Sequence, residues 1–233
     1  MTDSSFGDSD VLTGTTNRHL CLLENTPYYF HRSALGPFLD MHKSAMEAGF
    51  NLHVCSSFRD FSSQLNIWNA KATGKRPLRD RNGRELNFEV LSGEEVMFSI
   101  LRWSALPGAS RHHWGTDLDV YDRNAIPKDY TIKLIPDEFE GTGIFAPAHN
   151  WLDTNMARFG FFRPYAQDRG GVNPERWHIS FEPVAQVLYA KLDKELIRKV
   201  LKPSDIELKD EILKNLDIIF QRYVRNISLP GVL

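Results

Sequence analysis

Two histidines and two aspartates fall within SRHHWGTDLD, Ser110 to Asp119, in a chain with only 8 histidines. Imidazole nitrogens and carboxylate oxygens are donors that hold zinc, and a catalytic zinc takes three protein ligands and leaves one position for water. A third imidazole, His178, lies far downstream in WHISF, and Glu175 precedes it at the end of a Gly/Pro-bearing loop. A carboxylate so placed can sit beside a metal without ligating it and serve as a general base. No HExxH helix is present, so the common zinc-protease device is absent. Residue types alone leave two readings open. His112, Asp119 and His178 form a ligand triplet carried on strands or strand ends. Alternatively, His112 and His113 are loop residues and His178 is a half-buried strand histidine satisfied by its neighbours.

The elements that must position these residues follow from periodicity. In GTDLDVY, Thr116, Leu118 and Val120 point one way and Asp117, Asp119 and Tyr121 the other, which predicts a strand with carboxylates on one face. In WHISF, Trp177, Ile179 and Phe181 share one face and His178 and Ser180 the other. FNLHVC, from Phe50, reads as a further strand, and FFRPY, from Phe161, as a strand or turn. Helices are predicted over 35–48, closed by Gly49, over 60–72, and over 147–159, closed by Gly160. Ser92 and Glu95 have capping-box spacing before an apolar face, and that helix is expected to end near Pro107-Gly108. Residues 1–18 read as a flexible arm or edge extension. Residues 73–91 read as a surface hairpin or long loop around Asn82-Gly83, with the charged run 74–85 a solvated face, and 123–146 as an irregular excursion. The tail reads as one helical stripe over 184–201, then a second capping box at Ser204 and Glu207 and a further stripe to Tyr223, packed on the domain or forming a dimer contact. Helices and strands in mixed order predict an α+β fold, a small antiparallel sheet flanked by helices. One domain is expected over 1–233, with its core at about 30–183 and extra C-terminal helices over about 184–233.

Composition narrows the classes. The net charge of −2 offers no broad basic face, so neither nucleic acid nor an acidic membrane is expected as a partner. Cys21 and Cys55 are too few for a four-thiolate zinc site, and Cys55, in an apolar run, reads as a buried free thiol. The segment MTDSSFGDSD lacks the basic and apolar regions of a secretory leader, and no apolar run approaches the ~18 residues of a spanning helix. A cytoplasmic location is the expectation.

Ser110-x-His112-x-x-Gly115-x-x-x-Asp119 is followed by Glu175-x-Trp177-His178 and preceded by SSFRDFSSQ, Ser56 to Gln64. Together these segments resemble the VanY-type D-alanyl-D-alanine carboxypeptidases, zinc peptidases grouped with D-Ala-D-Ala dipeptidases and L,D-carboxypeptidases. The resemblance spans roughly residues 35–183. It implies the zinc D-Ala-D-Ala carboxypeptidase fold and one zinc ion held by His112, Asp119 and His178. It implies Glu175 as general base for attack of zinc-bound water, Arg59 facing the scissile carbonyl, and Ser110 and Gln64 on the substrate's peptide or carboxylate end. The implied reaction removes the C-terminal D-alanine from a peptidoglycan stem peptide or muropeptide. A D,D-carboxypeptidase would act on the pentapeptide, an L,D-carboxypeptidase on the tetrapeptide, and the expected location favours the latter. A peptidoglycan endopeptidase and a non-catalytic zinc-containing peptide-binding protein are the alternatives, and the presence of both Glu175 and Arg59 favours an enzyme.

Register and departures refine this. His112, not His113, gives the family's spacing to Asp119, which leaves His113 at the pocket wall or behind the ligands. Asp117 stands where the family has a small residue, and reads either as a partner of the ligands or substrate, or as a solvated carboxylate. Arg176, Ile179 and Phe58 replace a usual Pro, a frequent aromatic and a common Tyr.

Overall fold

The computed structural model describes residues 8–231. Helix α1 (Asp8–Thr13) leads to a two-stranded ribbon, β1 (Leu20–Leu22) and β2 (Tyr29–His31), and then to α2 (Arg32–Glu47). Strand β3 (Leu52–Ser56) and helices α3 (Phe61–Ala72) and α4 (Gly93–Leu101) precede β4 (Asp117–Asp122). Short α5 (Pro136–Phe139), α6 (Ala146–Asn155), β5 (Phe161–Phe162) and β6 (His178–Phe181) follow, then α7 (Glu182–Lys191), α8 (Lys194–Leu201), α9 (Lys209–Lys214) and α10 (Leu216–Ile219), which runs into a π-helical segment over Phe220–Val224. The main sheet has four strands in the order β3-β4-β6-β5, all pairs antiparallel. The α+β expectation is met. Among the described residues no helix is long and apolar enough to cross a membrane.

The sheet has two faces with different duties. Val54, Leu118, Val120 and Ile179 pack with Phe38 and Met41 of α2 and Leu152 of α6 into one core cluster. The period-2 alternation therefore turns Asp117, Asp119, His178 and Ser180 to the opposite face. A second cluster joins Trp68 of α3 and Met97 and Ile100 of α4 to Leu188, Ile197, Ile212 and Ile219 of the tail helices. The tail helices thus bury their apolar stripes against the helices that back the site.

Several expectations are corrected. Residues 8–13 form a helix whose Leu12 is buried in the cluster that holds Trp68 and Trp114, with Trp114 Nε1 donating to the Leu12 carbonyl at 3.3 Å; residues 1–7 of the predicted arm lie outside the described residues. The capping box at Ser92 and Glu95 forms, but α4 stops at Leu101 rather than near Pro107. The stretch 123–146 holds α5, whose Glu138 is bonded to the Lys133 amide at 2.9 Å and the Tyr130 hydroxyl at 2.6 Å. The stripe over 184–201 breaks at Leu192-Asp193, where the Asp193 carboxylate caps α8 by accepting from the Glu195 and Leu196 amides. Ser204 and Glu207 form no capping box: Ser204 Oγ donates to the Leu201 carbonyl, and the Glu207 amide is taken by Asn69 Oδ1 of α3. Both cysteines are free.

Candidate active site

Register brings the distant residues together. Across β4 and β6, Asp119 stands opposite His178 and Asp117 opposite Ser180; across β3 and β4, Ser56 stands opposite Asp119. Directly opposed residues on one face lie roughly 5 Å apart, so strand pairing places these side chains in contact. A register irregularity between Val54 and Ser56 interrupts β3 at this point. His112 enters from a 3-10 turn, Arg111–Trp114, that ends at Gly115 with φ +67. A Cβ at Gly115 would lie 2.7 Å from the His31 nitrogen and 2.5 Å from the Leu20 side chain, so only glycine fits.

Ligand atoms of His112, Asp119 and His178 lie within 4.8 Å of one another, and all three residues are buried. His112 Nε2 is 3.4 Å from Asp119 Oδ2, and His178 Nδ1 is 3.2 Å from Asp119 Oδ1. The other ring nitrogens are committed elsewhere. His112 Nδ1 donates to the Ser57 carbonyl at 2.8 Å, and His178 Nε2 donates to Asp117 Oδ1 at 2.9 Å. Each ring therefore turns its remaining nitrogen toward Asp119, whose Oδ1 is buried without a hydrogen bond. A buried carboxylate between two imidazole nitrogens calls for a cation among them, a proton on His178 in the protein alone or a metal ion in its place. The donor set of two imidazoles and one carboxylate, with room for a further ligand, suits a divalent metal ion.

Asp117 is fully buried, which removes the solvated-carboxylate reading. Besides His178 it accepts from Arg111 Nε at 2.7 Å, Thr116 Oγ1 at 2.7 Å and Ser180 Oγ at 2.9 Å, while Arg111 Nη2 also donates to Ser180 Oγ at 2.7 Å. Burial works against its charge, but Arg111 and His178 outweigh burial and hold the carboxyl well below the usual carboxylate range. Burial likewise disfavours a charged His178, yet Asp117 and Asp119 prevail and raise it to about 9 for the protein alone. A carboxylate behind a ligating imidazole fixes its tautomer and orientation and increases its basicity.

Glu175 is buried, with Oε2 3.6 Å from His178 Nδ1. Burial pushes its carboxyl up to about 8, against the pull of His178, with Asp119 adding to the rise. Arg59 is held at four points. Its amide donates to the His112 carbonyl at 3.1 Å, and its carbonyl accepts from His113 Nδ1 at 2.6 Å. Its guanidinium donates to Gln64 Oε1 at 2.7 Å and Ser56 Oγ at 2.8 Å. His113 is buried and also accepts from the Gly108 amide at 3.0 Å, so it locks the Arg59 backbone rather than contacting the metal position.

A cavity of 370 Å³ opens over this centre, and Arg59, Ser110, His112, Asp119, Glu175 and His178 all line it. Gln64 does not: it is fully buried, with Oε1 on Arg59 and Nε2 donating to the Ala105 carbonyl at 2.7 Å. The expected substrate contact at Gln64 is therefore replaced by a hold on Arg59. The loop over 74–85 does turn around Asn82-Gly83, with an Arg79–Glu85 bridge, but Arg76 and Arg79 line the cavity, so this loop is not merely a solvated face. Sequence reasoning missed the Ser57 carbonyl, which as a backbone atom has no sequence signature. It also missed Lys71, which lines the cavity from the last turn of α3. Its lysine seven residues beyond Gln64, on the same side of the helix, was a readable signal.

Residues 28–184 match the VanY family, described as D-alanyl-D-alanine carboxypeptidase. A Haemophilus influenzae protein of uncharacterised function is 32% identical over 121 residues, which cover 51% of this chain and 92% of that relative. Among solved structures, VanYB in complex with D-alanine-D-alanine aligns with TM-score 0.54 at 20% identity, covering 82% of this chain and 91% of the other. A vancomycin-resistance D,D-pentapeptidase VanY in complex with Zn(II) aligns with TM-score 0.52 at 20% identity, covering 84% and 90%. At these identities the likeness is one of fold.

Proposed function

Because the chain belongs to the VanY family, we propose that it is a zinc-dependent carboxypeptidase that removes the C-terminal D-alanine from peptidoglycan stem peptides. One observation carries the reading: the inward-facing nitrogens of His112 and His178 and the unsatisfied oxygen of Asp119 converge on one point, with Glu175 beside it and Arg59 on the same cavity. His112, Asp119 and His178 would hold the zinc. When bound, zinc supplies Lewis-acid polarisation and lowers the pKa of a water it ligates to about 7.

The chain's own groups do the rest. Glu175 accepts a proton from the attacking water and delivers it to the leaving amine of D-alanine. Burial raises its carboxyl in the protein alone, and a metal ion held by the neighbouring His178 would favour its ionised, proton-accepting form. Arg59 stabilises the negative charge that develops on the scissile carbonyl oxygen. Because Ser56, Gln64, His112 and His113 fix it beforehand, it spends little reorganisation in the reaction. Asp117, braced by Arg111, Thr116 and Ser180, keeps His178 Nδ1 aimed inward. Ser110 lines the cavity and presents a hydroxyl to the peptide.

The test is one incubation with two substrates, muropeptide tetrapeptide and pentapeptide, with and without a chelator, read by mass spectrometry. Release of one alanine, abolished by chelator and restored by zinc, is the expected result. Loss from the tetrapeptide identifies an L,D-carboxypeptidase and loss from the pentapeptide alone a D,D-enzyme. Intact peptides from zinc-loaded protein would refute the reading. In Glu175→Gln, turnover should fall by about 10²–10⁴ while bound zinc, measured by elemental analysis, stays at the wild-type level.

A further inference from the structure

Cations exceed acids in the cavity. The acids lining it are Asp119 and Glu175, against Arg59, Lys71, Arg76, Arg79, Arg111 and Lys133, in a chain whose net charge is −2. Some of this positive charge is already committed. Arg111 is tied to Asp117 at 2.7 Å, and Arg79 to the Gly83 carbonyl at 2.7 Å and to Glu85 at 3.4 Å. Arg59 has the role assigned above. Lys71, Arg76 and the exposed Lys133 have none, and of these Lys71 alone is half-buried.

Lys71 is half-buried in the last turn of α3. Its ammonium donates to Ser104 Oγ at 2.6 Å, and among the described residues no carboxylate lies within ion-pair distance. Burial lowers it to about 8, with Glu175 pulling the other way. An ammonium kept in a half-dry wall with one neutral partner carries a desolvation cost that an incoming anion would offset. Arg76 is exposed at the rim and has no side-chain partner among the described residues. Gln64, Ile67 and Lys71 share one side of α3. Gln64 holds Arg59, and the seven residues from it to Lys71 span about 10 Å of helix. A lysine side chain closes most of that distance. A carboxylate one or two residues from a scissile carbonyl at Arg59 would therefore meet Lys71.

We propose that Lys71, with Ser104 beside it and Arg76 at the rim, forms a second anion subsite that binds a carboxylate of the substrate, separate from the position of Arg59 at the scissile carbonyl. The inference rests on the carboxypeptidase reading and names a feature of its substrate. Two carboxylates have the right chemistry: the free C-terminus of the departing D-alanine, and a side-chain carboxylate on the diamino acid that precedes it. The subsite would distinguish a stem whose diamino acid carries that acid from one with lysine in its place.

The experiment uses the zinc-loaded full chain and three tetrapeptides: one with both acids, one with lysine as the diamino acid, and one ending in D-alanine amide. Binding is measured by calorimetry in a Glu175→Gln background, and turnover in the wild-type background, each with and without Lys71→Met. We expect Lys71→Met to weaken binding of the two-acid peptide and raise its KM by about 10–100-fold, the range of a charge-assisted hydrogen bond, with kcat within about threefold. Lys71→Arg should retain most of the affinity. The Lys71 effect should vanish on the peptide that lacks the bound acid: on the lysine peptide if the side-chain acid is held, on the amide if the C-terminus is. Arg76→Gln, at an exposed position, should give the same pattern more weakly and does not depend on Lys71→Met folding. Equal losses on all three peptides, or no loss on any, overturn the subsite. Cleavage with unchanged Lys71→Met kinetics sinks this inference and leaves the carboxypeptidase reading standing. Lys71-dependent binding without cleavage does the reverse.

Discussion

The sheet wall and the helix wall of the cavity meet at the His112–Asp119–His178 point, and their charges are handled differently. On the sheet wall, Asp117 is enclosed by Arg111, Thr116, Ser180 and His178, so a buried carboxylate is matched within the protein itself. On the helix wall, Arg59 is held only by neutral side chains and backbone, and Lys71 only by a serine hydroxyl. A network satisfied internally serves to hold geometry, because its parts lose their partners if they move. Cations left with neutral partners keep their charge available for a ligand. The contrast suggests where each proposed duty would sit: metal affinity on the sheet wall, and recognition and oxyanion stabilisation on the helix wall.

Three perturbations break or sharpen this contrast. The largest effect is expected on the helix wall. Arg59→Lys removes the planar fork that engages Gln64 and Ser56 at once. It should lower kcat by about 10²–10³ with zinc content unchanged, read by steady-state kinetics and elemental analysis. A parallel loss of zinc would mean that the two walls are not separate in function. The sheet-wall counterpart is Asp117→Asn, which keeps the shape but weakens the hold on His178 and leaves Arg111 without its counter-charge. Zinc affinity should fall about 10–100-fold, measured by competition with a chelating dye, and kcat at saturating zinc should change less. If kcat collapses while affinity holds, Asp117 does not act through the ligand. The smallest effect lies behind the sheet, at His149 of α6. This imidazole is fully buried, bonded to the Val120 carbonyl at 3.2 Å, and faces Arg163 at 3.3 Å. Burial, followed by Arg163 and Arg176, holds it well below its ordinary value. Its folded pKa is depressed, so the unfolded chain binds the proton more readily. Its contribution to stability is then fully present above about pH 6.5 and is lost as the pH falls below that value. Glu175, with its raised carboxyl, works the other way over the same range, so the readout is the difference between the urea midpoints of metal-free wild type and His149→Gln, which should shift against the wild type between pH 7 and pH 5.

The two walls were also unequally legible. The sheet wall announces itself because alternation in DLDVY and HISF assigns each side chain a face, and His112, Asp119, Glu175 and His178 sit on short motifs. Asp117 could be placed on the face of Asp119 but not told from a solvated carboxylate, since its partners Arg111 and Ser180 come from other segments. The helix wall was read less well. Gln64 was expected on the substrate and is spent on Arg59 and the Ala105 carbonyl. The charged loop was read as solvated, yet Arg76 and Arg79 reach the cavity. The tail shows both kinds of error. Asp193 was a readable cap for α8, whereas Ser204 and Glu207 had capping-box spacing but the Glu207 amide was taken by Asn69 from α3.

By itself, the sequence determined the α+β class and the strands and their faces, while His112, Asp119, His178, Glu175 and Arg59 were marked as site candidates by the resemblance that their motifs carry. The class and the faces follow from residue type and local period, which side-chain alternation and short-range hydrogen bonding impose on any chain. Only the tertiary structure decided which backbone carbonyl steadies His112, which carboxylate steadies His178, and that Lys71 and Arg76 face the same cavity as Arg59. Those outcomes depend on strand register and on where α3 and its following loop come to rest. Both are set by burial of apolar surface summed over the whole chain, a quantity that no local stretch contains.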